Sequence, residues 1–117
     1  MNTLGKKERL SGKRAVENLL SKGTWGSCSI LRYCWMNSGL DYSRILVSVP
    51  KKNFKRAVKR NLLKRRIREA YRTRKSLLGE CRADILFVYN SREVESFGSI
   101  SAEVESILRM LSGTPAE

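Results

Sequence analysis

Between Pro50 and Gly79 the chain contains no proline and no glycine, and it is denser in Arg and Lys than anywhere else in the sequence. Arg, Lys and Leu are good helix formers, so an unbroken run of this kind predicts one long helix, expected over about residues 57–77. Plotted at about 100° per residue, Leu63, Ile67 and Ala70 stack on one side with Tyr71 beside them. Asn61, Arg65, Arg68 and Arg72 stack on the opposite side, bordered by Lys64. A helix with these two faces must lay its apolar stripe on a core and leave the cationic one outside.

Charge sharpens the point. Residues 51–75 hold 13 basic side chains and one acid, Glu69, while the other residues hold 11 basic and 10 acidic ones; the whole chain carries +13. The molecule is thus a nearly neutral scaffold bearing one intensely basic segment. Such a concentration repels itself unless a polyanion relieves it, and nucleic acid is the natural partner. Upstream of the helix, Lys51, Lys52, Lys55, Arg56 and Lys59 extend the charge into the preceding loop.

With 117 residues and 41% apolar content, the chain suits a single domain over residues 1–117 with one modest core, and with flexible tails at about 1–8 and 112–117. No apolar run approaches the roughly 20 residues that span a bilayer. The polar start lacks a signal-peptide apolar region, so a cytoplasmic protein is expected. Cys28, Cys34 and Cys81 show no C-x-x-C spacing and read as free thiols in a reducing compartment. Without histidine there is no usual zinc quartet and no usual general base near neutral pH, and the acids are scattered rather than clustered as a two-metal nuclease needs.

Along the chain, Ser11-Gly12 precedes a helix with Val16, Leu19 and Leu20 as its apolar stripe, stopped at Gly23. Residues 29–36 read as a strand with Leu31, Tyr33 and Trp35 on one face and Ile30, Arg32, Cys34 and Met36 on the other. A turn at 37–41 leads to a second strand at 45–49, expected to pair antiparallel with the first and ended by Pro50. Residues 83–89 form a third, buried-looking strand, and residues 97–111 a last helix with Ile100, Val104, Ile107, Leu108 and Leu111 on one stripe. The order is α-β-β-α-β-α, a small single-domain α+β sandwich.

The basic segment resembles the signature of the bacterial ribonuclease P protein component. The match rests on Ala57-Val58, then Arg60-Asn61, Lys64-Arg65 and Arg68-Glu69, the family's "RNR" pattern, preceded by Val49-Pro50-Lys51-Lys52. Arg9-Leu10 before the first helix, Gly23-Thr24 after it, and Asp84-Ile85-Leu86-Phe87-Val88 also resemble the family, so nearly the whole chain is covered.

The resemblance implies a sandwich whose basic helix crosses between two parallel strands with a left-handed connection. It implies an accessory subunit of a ribonucleoprotein endoribonuclease that removes the 5′ leader of precursor tRNA. Catalysis and the magnesium ions then belong to the RNA subunit; no cofactor is expected on the protein, and no obligate protein partner is evident in the sequence. The residues implied for the catalytic RNA are Arg60, Asn61, Lys64, Arg65, Arg68 and Arg72, with Lys52, Lys55 and Arg56 from the loop. A cleft between the first helix and the sheet is implied for the leader, with Tyr33 or Trp35 as stacking aromatics and Val16 and Leu20 on the helix. The family often has phenylalanine where Val16 and Leu20 stand, and glycine where Lys55 stands.

Composition and the basic helix fit a structural RNA-binding protein of ribosomal type equally well; the RNR spacing alone argues against it. A self-sufficient metal-dependent nuclease and a major-groove DNA reader are the weaker alternatives.

Overall fold

The computed structural model describes residues 6–113. Seven main elements follow one another: α1 (Lys13–Lys22), β1 (Thr24–Ser27), β2 (Leu31–Asn37), β3 (Arg44–Ser48), α2 (Ala57–Arg74), β4 (Ala83–Tyr89) and α3 (Phe97–Ser112). Short 3-10 turns lie at Lys6–Glu8 and Lys75–Leu78. Residues 1–5 and 114–117, most of the two expected tails, lie outside the described residues. Regular structure nevertheless reaches into both expected tails, through the turn at Lys6–Glu8 and through Ser112 at the end of α3.

The four strands form one mixed sheet in the order β1-β2-β4-β3. This corrects the expected antiparallel pairing of the strand at 29–36 with the strand at 45–49, which are β2 and β3 here. β2 pairs antiparallel with β4, β3 pairs parallel with β4, and α2 makes the crossover between β3 and β4. The reason lies in β4, whose residues are buried except for half-buried Val88, so it needs a strand on both sides. The link between β2 and β3 therefore passes the start of β4 instead of closing a hairpin. Ser38 N donates to Arg82 O (3.0 Å), and Ala83 N donates to Ser43 Oγ (3.0 Å).

β1 was not expected at all. It pairs antiparallel with β2, and β2 begins at Leu31, two residues later than expected. Gly26 makes the pairing feasible, because a Cβ there would run into the Tyr33 ring.

The two sheet faces are covered differently. On one, Leu31, Tyr33, Ile45, Val47, Ile85, Phe87 and Tyr89 pack against Leu63, Ile67, Ala70 and Tyr71 of α2 and the apolar stripe of α3. On the other, Cys34 and Leu86 meet Leu19 of α1 and Leu10 before it, with Ala15, Met36, Leu46 and Val88 only partly buried around them. The polar row of that second face is closed by Arg44, whose Nε and Nη2 donate to the Asp84 carboxylate at 2.8 and 2.6 Å.

Candidate nucleic-acid interface

α2 has the two faces expected of it. Leu63, Ile67, Ala70 and Tyr71 are buried against the sheet, while Asn61 and Arg65 are exposed and Lys64, Arg68 and Arg72 half-exposed. The helix continues as a 3-10 turn over Lys75–Leu78, which accounts for the residues beyond Arg74 in the expected span. Its first turn carries no acid and no side-chain cap, so Lys55, Arg56 and Lys59 crowd the positive end of the helix dipole. Arg60 Nη1 donates to the carbonyls of Phe54 (2.7 Å) and Lys55 (2.8 Å), folding the basic loop back onto the helix start. Lys51 and Lys52 stand exposed in the turn that begins this loop.

The cations of α2 and the turn after it fall into two groups. One group is engaged inside the protein. Arg66 donates to Glu95 O (2.6 Å), Arg74 pairs with Glu105 (3.6 Å), and Lys75 pairs with Glu8 (2.9 Å). Arg72 pairs with Glu69 along the helix, and its hydrogen bond holds the Glu69 carboxyl below the usual carboxylate range. The other group is Lys59, Lys64, Arg65 and Arg68, whose side chains, like that of Asn61 beside them, make no hydrogen bond or ion pair among the described residues. These are the helix residues left for an external anion.

Two open basic clefts border the helix. In one, Arg9 joins Arg65, Arg68, Glu69 and Arg72. Arg9 is brought there by the N-terminal segment, which runs beside β3; Leu10 N donates to Ile45 O at 2.7 Å, and Arg9 bridges Ile45 in parallel. In the other, Lys55, Arg56 and Lys59 meet Arg92 from the loop after β4. Sequence reasoning did not assign Arg9 or Arg92 to the site. Arg9 stood in a segment that already resembled the family, whereas nothing in the sequence marked Arg92.

The residues expected for a single-stranded leader are not brought together. Tyr33 is buried on the α2–α3 side, with its hydroxyl donating to Met110 S (3.2 Å), and burial pushes its pKa up. Trp35 lies on that same face and lines a pocket with Leu40, Leu77 and Cys81. Neither ring reaches the α1 side, because residues at alternate positions of β2 share a face. On α1 Leu19 is the buried residue, with partly buried Ala15 one turn before it in the same cluster; Val16 is half-buried and Leu20 is 44% exposed. The aromatic presented on the α1 side is Trp25, which stands opposite Cys34 in the β1–β2 ladder.

Among the described residues, no three His, Cys, Asp or Glu side chains gather as metal ligands would. No helix there is long and apolar enough to cross a membrane.

Residues 4–112 match the Ribonuclease P family model. The ribonuclease P protein component of Porphyromonas gingivalis strain W83 is 34% identical, covering 97% of this chain and 90% of its own length. That of Petrotoga mobilis is 45% identical over 63% of this chain and 62% of its own. Among solved structures, the RNase P protein of Staphylococcus aureus superposes with a TM-score of 0.77 at 25% identity, covering 88% of this chain and 94% of that one.

Proposed function

The chain belongs to the ribonuclease P protein family, and from that premise we propose how it serves the enzyme: α2 grips the catalytic RNA, and the half-open face under α1 holds the 5′ leader of precursor tRNA. A protein component of ribonuclease P associates with the enzyme's RNA subunit. The observation that carries the first half is the partition of the basic helix. Among the described residues the side chains of Asn61, Lys64, Arg65 and Arg68 have no internal partner, while neighbouring cations are engaged by Glu95, Glu105 and Glu8. Guanidinium groups grip phosphates in pairs of hydrogen bonds, and Asn61 adds a neutral donor and acceptor suited to a ribose 2′-hydroxyl. Arg9 widens the same surface, Lys55 and Arg56, with Arg92, extend it along the strand-to-helix loop, and Lys52 stands exposed at the start of that loop.

The second half rests on the uneven cover of the sheet. Beside Ala15 and Leu19 of α1, Met36, Leu46 and Val88 remain partly exposed in a strip. An apolar floor with basic surroundings suits unpaired bases better than a duplex. Val16 and Leu20 supply packing but no ring.

The protein itself performs no bond chemistry in this reading. It neutralises phosphates of the RNA subunit, which holds the catalytic magnesium, and so lowers the magnesium concentration that folding and cleavage require. It works where precursor tRNA is matured, in the bacterial cytoplasm, which accords with three free thiols.

The test is 5′-leader cleavage of a precursor tRNA at low magnesium, with bacterial ribonuclease P RNA and with or without this protein. Strong stimulation that needs both components is expected. Tight RNA binding without stimulation would instead support a structural RNA-binding role of the ribosomal kind.

A further inference from the structure

The outer edge of the sheet carries an aromatic that the fold does not use. Trp25 is 43% exposed on the edge strand β1, and the guanidinium carbon of Arg32 sits 5.0 Å from its ring centroid. Both side chains lie on the α1 side, since Trp25 faces Cys34 across the ladder and Arg32 is two residues from Cys34 on the same strand. Arg32 is itself exposed, so its donors are open to solvent.

The mounting is rigid. Four residue pairs tie β1 to β2, from Thr24 with Trp35 to Ser27 with Arg32. Gly26 packs directly on the Tyr33 ring, which is fixed in turn through its hydroxyl to Met110. A Glu103 oxygen of α3 accepts from the backbone N–H groups of Ile30 (2.9 Å) and Leu31 (3.0 Å), anchoring the loop between the two strands. An exposed indole held on so constrained a hairpin loses little freedom when something stacks on it.

We propose that Trp25 and Arg32 form a stacking platform for one base of single-stranded RNA, at the β1 edge beyond the partly exposed strip of Met36, Leu46 and Val88. The indole offers a π face that accepts any base, and the guanidinium stacks beside it and supplies charge for the adjoining phosphate. No base edge is read, so the platform tolerates sequence. It provides the ring that α1 lacks. The inference rests on the reading that the α1 side takes the leader, and it names where a leader base stacks.

The test uses the holoenzyme assembled from this full chain and ribonuclease P RNA. Affinity is measured for a precursor tRNA with a leader long enough to cross the sheet and for the same tRNA without a leader. Trp25→Ala should weaken binding of the leader-bearing RNA about tenfold and leave the leaderless RNA unchanged. Trp25→Phe should restore most of the affinity, whereas Trp25→Leu, apolar but without a π face, should not. In a Trp35→Phe background, the remaining indole fluorescence should be quenched as the leader binds. If the wild type prefers the leader-bearing RNA and Trp25→Ala keeps that preference in full, the platform is refuted while the leader reading stands. If the wild type shows no preference at all, the leader reading fails and the platform with it.

Discussion

The two faces of the sheet are built from alternate residues of the same strands, yet they are finished differently. One is sealed by α2 and α3 and includes the fully buried Phe87, Tyr89 and Ile85. The other is half-covered by the ten-residue α1, leaving Val88, Leu46 and Met36 partly open, and relies on the Arg44–Asp84 pair at one end. Stability is concentrated on the first face and access on the second. α2 joins the two roles, because its buried stripe completes the sealed face while its other side offers Lys64, Arg65 and Arg68 outward, unpaired among the described residues. The sealed face can therefore be judged by folding and the outward surfaces by binding.

The largest contrast is expected between neighbours in β4. Phe87→Ala, at a fully buried site, should cost about 3–5 kcal/mol in urea denaturation. Val88→Ala, one residue on and facing α1, should cost only about 1 kcal/mol, as its methyl groups are half in water. Equal losses would mean that the two faces are equally sealed. Next comes Asp84→Ala, which leaves the Arg44 guanidinium without its two hydrogen bonds. A loss of about 3 kcal/mol is expected, at the low end for a broken buried pair because Arg44 keeps some solvent contact. A loss below that of Val88→Ala would show that packing alone holds the open face.

The smallest effect is on pH. Burial raises the pKa of Cys28, Cys34 and Cys81 and of Tyr33, Tyr71 and Tyr89. The folded chain keeps these protons to higher pH than the unfolded chain does. Stability from them is therefore complete below the ordinary thiol and phenol range and declines as pH rises through about 9 to 10. Urea midpoints measured from neutral to alkaline pH should fall, and a flat profile would contradict the burial of these groups. Five of the six, all but Cys34, lie in or against the sealed face.

Much of this was legible in the sequence, and the failures have physical causes. The faces of α2 followed from helical spacing alone, since Leu63, Ile67 and Ala70 leave no other stripe to bury. The bounds of β4 were read correctly, but its central place in the sheet was not. A buried run says that a strand is covered on both sides without saying which strands flank it, so β3 was assigned to the wrong neighbour. β1 escaped notice because four residues containing a glycine show no period. Of the stripe expected on α1, Leu19 is buried while Leu20 points outward, and Ala15, which carries little hydrophobic signal, packs with Leu19 in its place. Tyr33 and Trp35 were set on a strand whose alternation was right, but alternation does not say which face meets α1. Arg9 and Arg92 reach the basic surface only through tertiary contacts.

The most direct test of the central claim measures binding of ribonuclease P RNA across a range of salt concentrations for wild type, Arg65→Ala, Arg68→Ala and Ile67→Ala, alongside urea denaturation of each. The arginine variants should bind more weakly, with a salt slope reduced by about one per lost phosphate contact, and should keep wild-type stability. Ile67→Ala should lose roughly 2–5 kcal/mol of stability. Arginine variants that unfold while Ile67→Ala remains stable, or that bind RNA with an unchanged salt slope, would contradict a helix buried along Ile67 and offered to RNA along Arg65 and Arg68.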